Sequence, residues 1–179
     1  MKSYSFAKIL FVYLVIVSLQ KSYITLLLSL PVYPDSKRES LIVLEEMNKD
    51  QSLFWETDQS VGVAFVDILP EPPEEIDRVL RSQNMIILFF KYLINRPRPE
   101  QVNQTIVPLP STTAATPSYP SGHTYQAFLL AKHFSKKYPH LREQLYKTAE
   151  ECGQARIRAG LHYPSDHEFS KKLVKIFGR

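Results

Sequence analysis

Tyr119-Pro120-Ser121-Gly122-His123-Thr124 joins a proline-rich stretch to an apolar-periodic one, and its reading decides the fold. From His123, the residues Ala127, Leu130 and Phe134 recur at helical spacing, so an amphipathic helix starts here with His123 on its core-facing side. A helix start leaves backbone N–H groups unpartnered and carries partial positive charge, and Gly122 lets an anion approach the backbone closely. The stretch reads as a cradle for an oxyanion beside an imidazole. A plain loop-to-helix junction capped by Ser121 accounts for the same residues, so the rest of the chain decides between the two.

Upstream, residues 97–120 hold six of the chain's 13 prolines with Ser and Thr filling much of the rest, which predicts one long surface loop delivering the chain to Ser121. Arg96-Pro97-Arg98-Pro99 ends the helix before it. That helix opens at Pro72-Pro73-Glu74-Glu75, where the acidic residues suit a positive helix end, and runs to about Asn95. Its second half, Met85 to Ile94, is apolar apart from Lys91, as in the central helix of a bundle; Lys91 either snorkels outward or faces an anion. Residues 52–69 are ambiguous, with helix favoured. Earlier still, Asp35 and Ser36 cap a surface helix over 37–49 that carries Leu41, Leu44 and Met47 on one stripe.

Downstream, the helix over 122–137 breaks at Tyr138-Pro139, and the next runs from about Leu141 to Ala159. Its buried stripe is Leu141, Leu145, Ala149 and Cys152, and the next position on that stripe is Arg156. A guanidinium on the core side needs an anion, either a protein carboxylate or a ligand. The segment His162-Tyr163-Pro164-Ser165-Asp166-His167-Glu168 then opens a last helix to Phe177, with Ser165 and Glu168 fitting a capping box and Asp166 a helix-start carboxylate.

Composition bounds the rest. The chain has 179 residues, 44% of them apolar, which suits one compact domain. A net charge of +4 comes from dispersed Lys and Arg, so no nucleic-acid arm is read. One cysteine, Cys152, excludes an internal disulfide framework and sits on an apolar face as a buried structural thiol. At the N-terminus, Lys2 and Lys8 precede the apolar run Ile9 to Leu19, and a second run, Ile24 to Leu30, follows across Gln20-Lys21-Ser22. Residues 1–30 are expected to be a signal peptide or a single membrane anchor, making the protein exported or single-pass. Leu30-Pro31 then starts the helical domain, residues 31–179.

Three cations (Lys91, Arg98 and Arg156), a helix start at Ser121 to His123, the imidazoles of His123 and His162, and the carboxylate of Asp166 are what phosphoryl transfer without a metal requires. Cations and amides neutralise the equatorial oxygens, one imidazole attacks and the other protonates the leaving oxygen. Asp166 lies four residues after His162, close enough to accept its ring N–H. The sequence contains no Walker-type glycine loop and no paired-carboxylate metal site, so no metal or other cofactor enters this reading.

These residues resemble the three motifs of the type-2 phosphatidic acid phosphatase and vanadium haloperoxidase superfamily: Lys-x6-Arg-Pro as Lys91 to Arg98-Pro99, Pro-Ser-Gly-His as Pro120 to His123, and Ser-Arg-x5-His-x3-Asp as Arg156 to His162 to Asp166. The family serine before Arg156 is Ala155 here, which implies altered packing or a lost hydrogen bond behind the arginine. The flanks Ser118 to Thr124 and Gly153 to Arg156 look most like class A bacterial non-specific acid phosphatases. The resemblance implies an all-α single-domain bundle and a phosphate-ester substrate. It also implies His162 as a nucleophile becoming phosphohistidine, His123 as general acid, Asp166 orienting His162, and Lys91, Arg98, Ser121, Gly122 and Arg156 holding phosphate. A lipid phosphate substrate, a non-catalytic phosphate-binding protein and a haloperoxidase are the other readings; haloperoxidases are much larger.

Overall fold

A computed structural model describes residues 33–178, and the expected N-terminal signal or anchor lies outside the described residues. The chain from Pro34 onward forms one compact unit. Every regular element among the described residues is helical: α1 (Ser36–Glu46), α2 (Ser52–Thr57), α3 (Val63–Val66), α4 (Pro73–Arg81), α5 (Asn84–Ile94), α6 (Pro99–Val102), α7 (Gly122–Lys137), a 3₁₀ turn (Pro139–Leu141), α8 (Arg142–Arg158) and α9 (Pro164–Phe177). The all-α expectation holds.

Helix α7 is the central element, packing on α8, α9 and α4. Its buried side chains Ala127, Phe128, Leu129, Leu130, Ala131 and Phe134 wrap most of the helix circumference, as a helix enclosed by neighbours requires. Helix α8 buries Leu145, Ala149 and Cys152 on the predicted stripe, and burial pushes the Cys152 thiol up to about 12, which makes it an inert core group. Close approach of α7, α8 and α9 depends on Gly153: a Cβ there would stand 2.2 Å from His167 Nδ1 and 2.9 Å from Thr124 Oγ1.

The expected single helix from Pro73 to Asn95 is two helices. The chain breaks at Ser82-Gln83, and Gln83 Nε2 donates to the Phe177 carbonyl at 3.2 Å while its Oε1 accepts from Tyr125 Oη at 2.5 Å. The break redirects α5 so that Ile87, Phe90 and Lys91 face inward, with Met85, Phe89, Tyr92 and Leu93 exposed. Asn95 ends α5 in the left-handed conformation at φ 51°, its N–H bonded to the Lys91 carbonyl at 2.8 Å.

Of the stripe expected on α1, Leu44 and Met47 pack on the core beside Val43, whereas Leu41 is 63% exposed. Glu39 and Ser40 also turn inward. Glu39 is drawn in by Arg96, whose Nη2 lies 2.7 Å from Glu39 Oε2, and this buried pairing together with the apolar packing sets the helix rotation. As expected, Asp35 caps α1, accepting the Arg38 N–H at 3.0 Å.

Residues 97–120 do not simply run over the surface. They include the short helix α6, and Pro99, Ile106, Ser118, Tyr119 and Pro120 are buried. Prolines lack a backbone donor, so this segment enters the interior with few N–H groups to satisfy. Those that enter find partners: Ser118 N–H bonds the Arg96 carbonyl and Leu109 N–H the Ala159 carbonyl, both at 2.9 Å.

Helix α8 ends in a Schellman motif. Gly160, at φ +75°, donates its N–H to the Ile157 carbonyl at 2.9 Å and Leu161 donates to the Arg156 carbonyl at 3.1 Å. This turn fixes the path from Arg156 to His162. Gly160→Ala puts a Cβ on a left-handed residue 3.0 Å from Met47 Sδ, so it should cost about 1–2 kcal/mol and lower the Tm, read by thermal unfolding. An unchanged Tm would show that the turn is not under this constraint.

Candidate active site

The side chains singled out in the sequence arrive from five elements. Lys91 comes from α5 and Arg98 from the residue before α6. Ser121 to His123 come from the start of α7, and Arg156 and His162 from either side of the turn after α8, with Asp166 in the first turn of α9. The structure brings all of them together. Ser121 is the N-cap of α7, its Oγ accepting the Thr124 N–H at 3.4 Å, so the capping role and the cradle are one feature. A Cβ on Gly122 would lie 3.9 Å from Lys91 Cε, which puts the helix start against the ammonium.

Lys91 does not snorkel. It is 5% exposed, its Nζ donates to the Pro117 carbonyl at 2.5 Å, and burial, with Arg98 adding, pulls it down to about 7. Arg98 is anchored through Nε to the Thr116 carbonyl at 2.9 Å and through Nη1 to the Leu161 carbonyl at 2.7 Å, immediately before His162. Its Nη2 makes no hydrogen bond to the described residues. Burial lowers both Arg98 and Arg156, yet arginine stays cationic.

Asp166 is fully buried and receives four donors. Arg96 Nη1 binds Oδ1 at 2.7 Å; Oδ2 takes the Ser118 hydroxyl, the Tyr163 N–H at 2.9 Å and His162 Nδ1 at 3.1 Å. Burial pushes the carboxyl up, against Arg96, Ser118 and the Tyr163 N–H. Four donors on two oxygens fit the ionised form, because a protonated oxygen would have to return one of them. His162 Nδ1 therefore carries the proton and Nε2 the lone pair, with no partner for Nε2 among the described residues. Burial, followed by Arg98, Lys91, Arg156 and His123, holds His162 well below the usual imidazole range, so the ring is neutral.

Arg156 finds a protein carboxylate. Its Nη1 lies 2.7 Å from Asp58 Oδ1, and Nη2 donates to Ser111 Oγ and Thr113 Oγ1 at 3.2 Å each. Its Nε is buried without a partner. Burial alone would raise Asp58, but Ser111 and Arg156 outweigh it and keep the carboxylate below its ordinary range. His123 is half-buried, its Nε2 donating to the Asp58 carbonyl at 2.9 Å; burial and then Arg156 pull it down to about 3. Ala155 packs in an apolar cluster with Phe54, Ala159 and Leu161, where a serine hydroxyl would need a partner.

Two residues of the site carry no local signal in the sequence, and one expectation needs correction. Arg96 escaped notice although it lies between Lys91 and Arg98: it is 1% exposed, pairs with both Glu39 and Asp166, and stacks 3.7 Å above the Tyr163 ring. Asp58 lies in the ambiguous stretch among the polar residues Glu56, Thr57, Gln59 and Ser60, where nothing local singles it out. The capping box is not Ser165 with Glu168. Tyr163 is the N-cap of α9 and Asp166 accepts its N–H, while Ser165 binds Glu39 and Glu168 pairs with Lys171 at 2.9 Å.

A cleft of about 420 Å³ is lined by Arg98, Glu100, Gln101, Thr116 and Pro117; it shares Arg98 with the site, and neither His123 nor His162 lines it. Glu150, His167 and Glu168 bring potential metal ligands within 4.8 Å of one another, but Lys171 Nζ stands 3.0 Å from Glu150 and 2.9 Å from Glu168, so an ammonium already neutralises them.

The family model of the PAP2 superfamily matches residues 79–171, which span Lys91 to Asp166. No curated protein gives a significant match. The family match covers just over half of the chain and the full set of converging side chains, and the chain belongs to the PAP2 superfamily, whose members are phosphatases acting on phosphate esters.

Proposed function

We propose that the protein is a metal-independent phosphatase that hydrolyses phosphate monoesters through a phosphohistidine on His162. One observation carries this reading: a neutral His162, tied through Nδ1 to Asp166, keeps Nε2 unpartnered inside a ring of Lys91, Arg98 and Arg156. A pocket built only to bind phosphate needs the cations but neither imidazole.

In this mechanism the phosphoryl oxygens are held by Lys91, Arg98 Nη2, Arg156 Nε and the N–H groups at the start of α7 beside Ser121 and Gly122. The His162 Nε2 lone pair attacks phosphorus, the bond to the ester oxygen breaks, and His123 gives that oxygen a proton. Water then attacks phosphorus as the P–N bond breaks, His123 takes the water proton, and inorganic phosphate leaves. Bound phosphate cancels part of the field of Arg156 and Lys91, which raises His123 from its low value so that it can carry the proton. Asp166 stabilises the positive charge His162 acquires.

The substrate reading is a water-soluble ester, as in the class A bacterial acid phosphatases. Among the described residues no helix is long and apolar enough to cross a membrane. A lipid phosphate is the second reading, favoured by the exposed Met85, Phe89, Tyr92 and Leu93 on the helix that carries Lys91 and by the apolar runs at 9–19 and 24–30, which support export or anchoring.

Hydrolysis of an aryl phosphate should be insensitive to EDTA, inhibited by vanadate, and lowered on the order of 10³-fold or more by His162→Ala. A folded wild type that turns over neither aryl phosphate nor phosphatidic acid in mixed micelles would overturn the reading. In the free enzyme Lys91 loses its charge as pH rises through about 7 and His162 stays neutral well into acid, while His123, neutral above about pH 3, takes its proton from the monoanionic ester on binding, so kcat/KM should be highest in mildly acidic solution and fall above neutrality. Lys91→Arg keeps the charge and should move the alkaline limb upward; an unmoved limb assigns it to another group. Arg96→Met leaves Asp166 and Glu39 buried without their cation and should cost roughly 3–5 kcal/mol in unfolding free energy as well as kcat, with Arg96→Lys recovering part of both.

A further inference from the structure

Behind the candidate site lies a hydrogen-bonded histidine that the mechanism does not use. His167 is 1% exposed. Its Nε2 lies 2.8 Å from Glu150 Oε1 and its Nδ1 3.1 Å from Thr124 Oγ1; Thr124 Oγ1 in turn donates to Ser121 Oγ at 3.0 Å. A continuous chain of four side chains thus runs from a partly exposed carboxylate to the hydroxyl at the phosphate cradle. Room for the ring exists only because residue 153 is glycine.

The proton directions follow from counting. Thr124 has one hydroxyl proton, and it goes to Ser121, so Thr124 must accept from His167 Nδ1–H. Burial would raise Glu150, but Gln154, Lys171 and His167 outweigh it and hold it at about 2, so Glu150 is an acceptor and Nε2 also carries a proton. This arrangement belongs to the imidazolium. It satisfies Ser121 Oγ as an acceptor and frees the Ser121 proton for a phosphate oxygen. When His167 is neutral, Nε2–H stays with Glu150, Nδ1 becomes an acceptor and takes the Thr124 proton. Ser121 must then choose between Thr124 and the phosphate.

We infer that His167 is a positioning residue that aims the Ser121 hydroxyl at the bound phosphate through Thr124, so that oxyanion binding tightens as His167 gains a proton. The inference rests on the phosphate-site reading above. The charged or titratable groups facing His167 are Glu150 from α8 and Glu168 and Lys171 from its own helix; α7 offers the neutral Thr124 and the Phe128 ring edge. Burial pulls His167 below the ordinary imidazole range and Glu150 opposes it, which puts the switch on the acid side of neutrality.

The test uses sulfate, a tetrahedral dianion that does not itself titrate between pH 5 and pH 8, with affinity read from ligand-induced Tm shifts and from competition with ester hydrolysis. Wild type should bind sulfate more tightly at pH 5 than at pH 8 by roughly fivefold more than Thr124→Val, His167→Gln or Ser121→Ala do, with KM changing in those variants more than kcat. Thr124→Val keeps the shape of the helix start, so it remains informative if His167→Gln does not fold. Equal pH dependence in wild type and Thr124→Val overturns the relay. Because the Tm readout needs no turnover, an inactive protein that shows the effect sinks the phosphatase reading alone, and an active one without it sinks the relay alone.

Discussion

The Asp166 carboxylate is the constraint on which the rest of the molecule depends. A fully buried anion is unfavourable unless donors surround it, and the four that do come from separate places: Arg96 after α5, Ser118 in the proline-rich segment, Tyr163 at the start of α9, and His162. Arg96 carries the constraint onward to Glu39, which helps to fix the rotation of α1. Satisfying one carboxylate therefore closes the proline-rich segment, docks the first described helix and sets the tautomer of His162 in a single network.

Opposite this network stands an excess of positive charge. Lys91, Arg98 and Arg156 are all largely buried, and each uses part of its donor capacity on backbone carbonyls or on Asp58, leaving some of it unspent. Backbone carbonyls orient Lys91 and Arg98 without neutralising them, whereas Arg156 is held by the Asp58 carboxylate. Such a pocket is poised for an incoming dianion, since little reorganisation is needed when it arrives. Burial, reinforced by this field, holds both imidazoles low, so His162 and His123 are both neutral.

Much of this was legible in the chain itself because it is written in local pattern. Helical spacing on α7 and α8, the Ser121 cap and the four-residue step from His162 to Asp166 are properties of single elements, and each is found where the spacing put it. What stayed hidden was pairing across the fold. Nothing local marks Glu39, because its partner lies 57 residues away, or Asp58 within the ambiguous residues 52–69, because Arg156 lies 98 residues away. The break at Ser82-Gln83 was invisible for the same reason: no proline or glycine marks it, and its cause is a glutamine bonded to Tyr125 and Phe177.

The glycine in the middle of α8 gives the fold a property of a different kind. With a Cβ at residue 153 standing 2.2 Å from His167 Nδ1, positions 153 and 167 share one volume, so residue 153 cannot enlarge while His167 is present. A larger residue at 153 demands a smaller one at 167, and installing a histidine at the matching place in a related scaffold would first require emptying the facing helix of its side chain. The route by which such a histidine is gained or lost is therefore a two-step path with an ordered sequence, the glycine first on the way in and last on the way out.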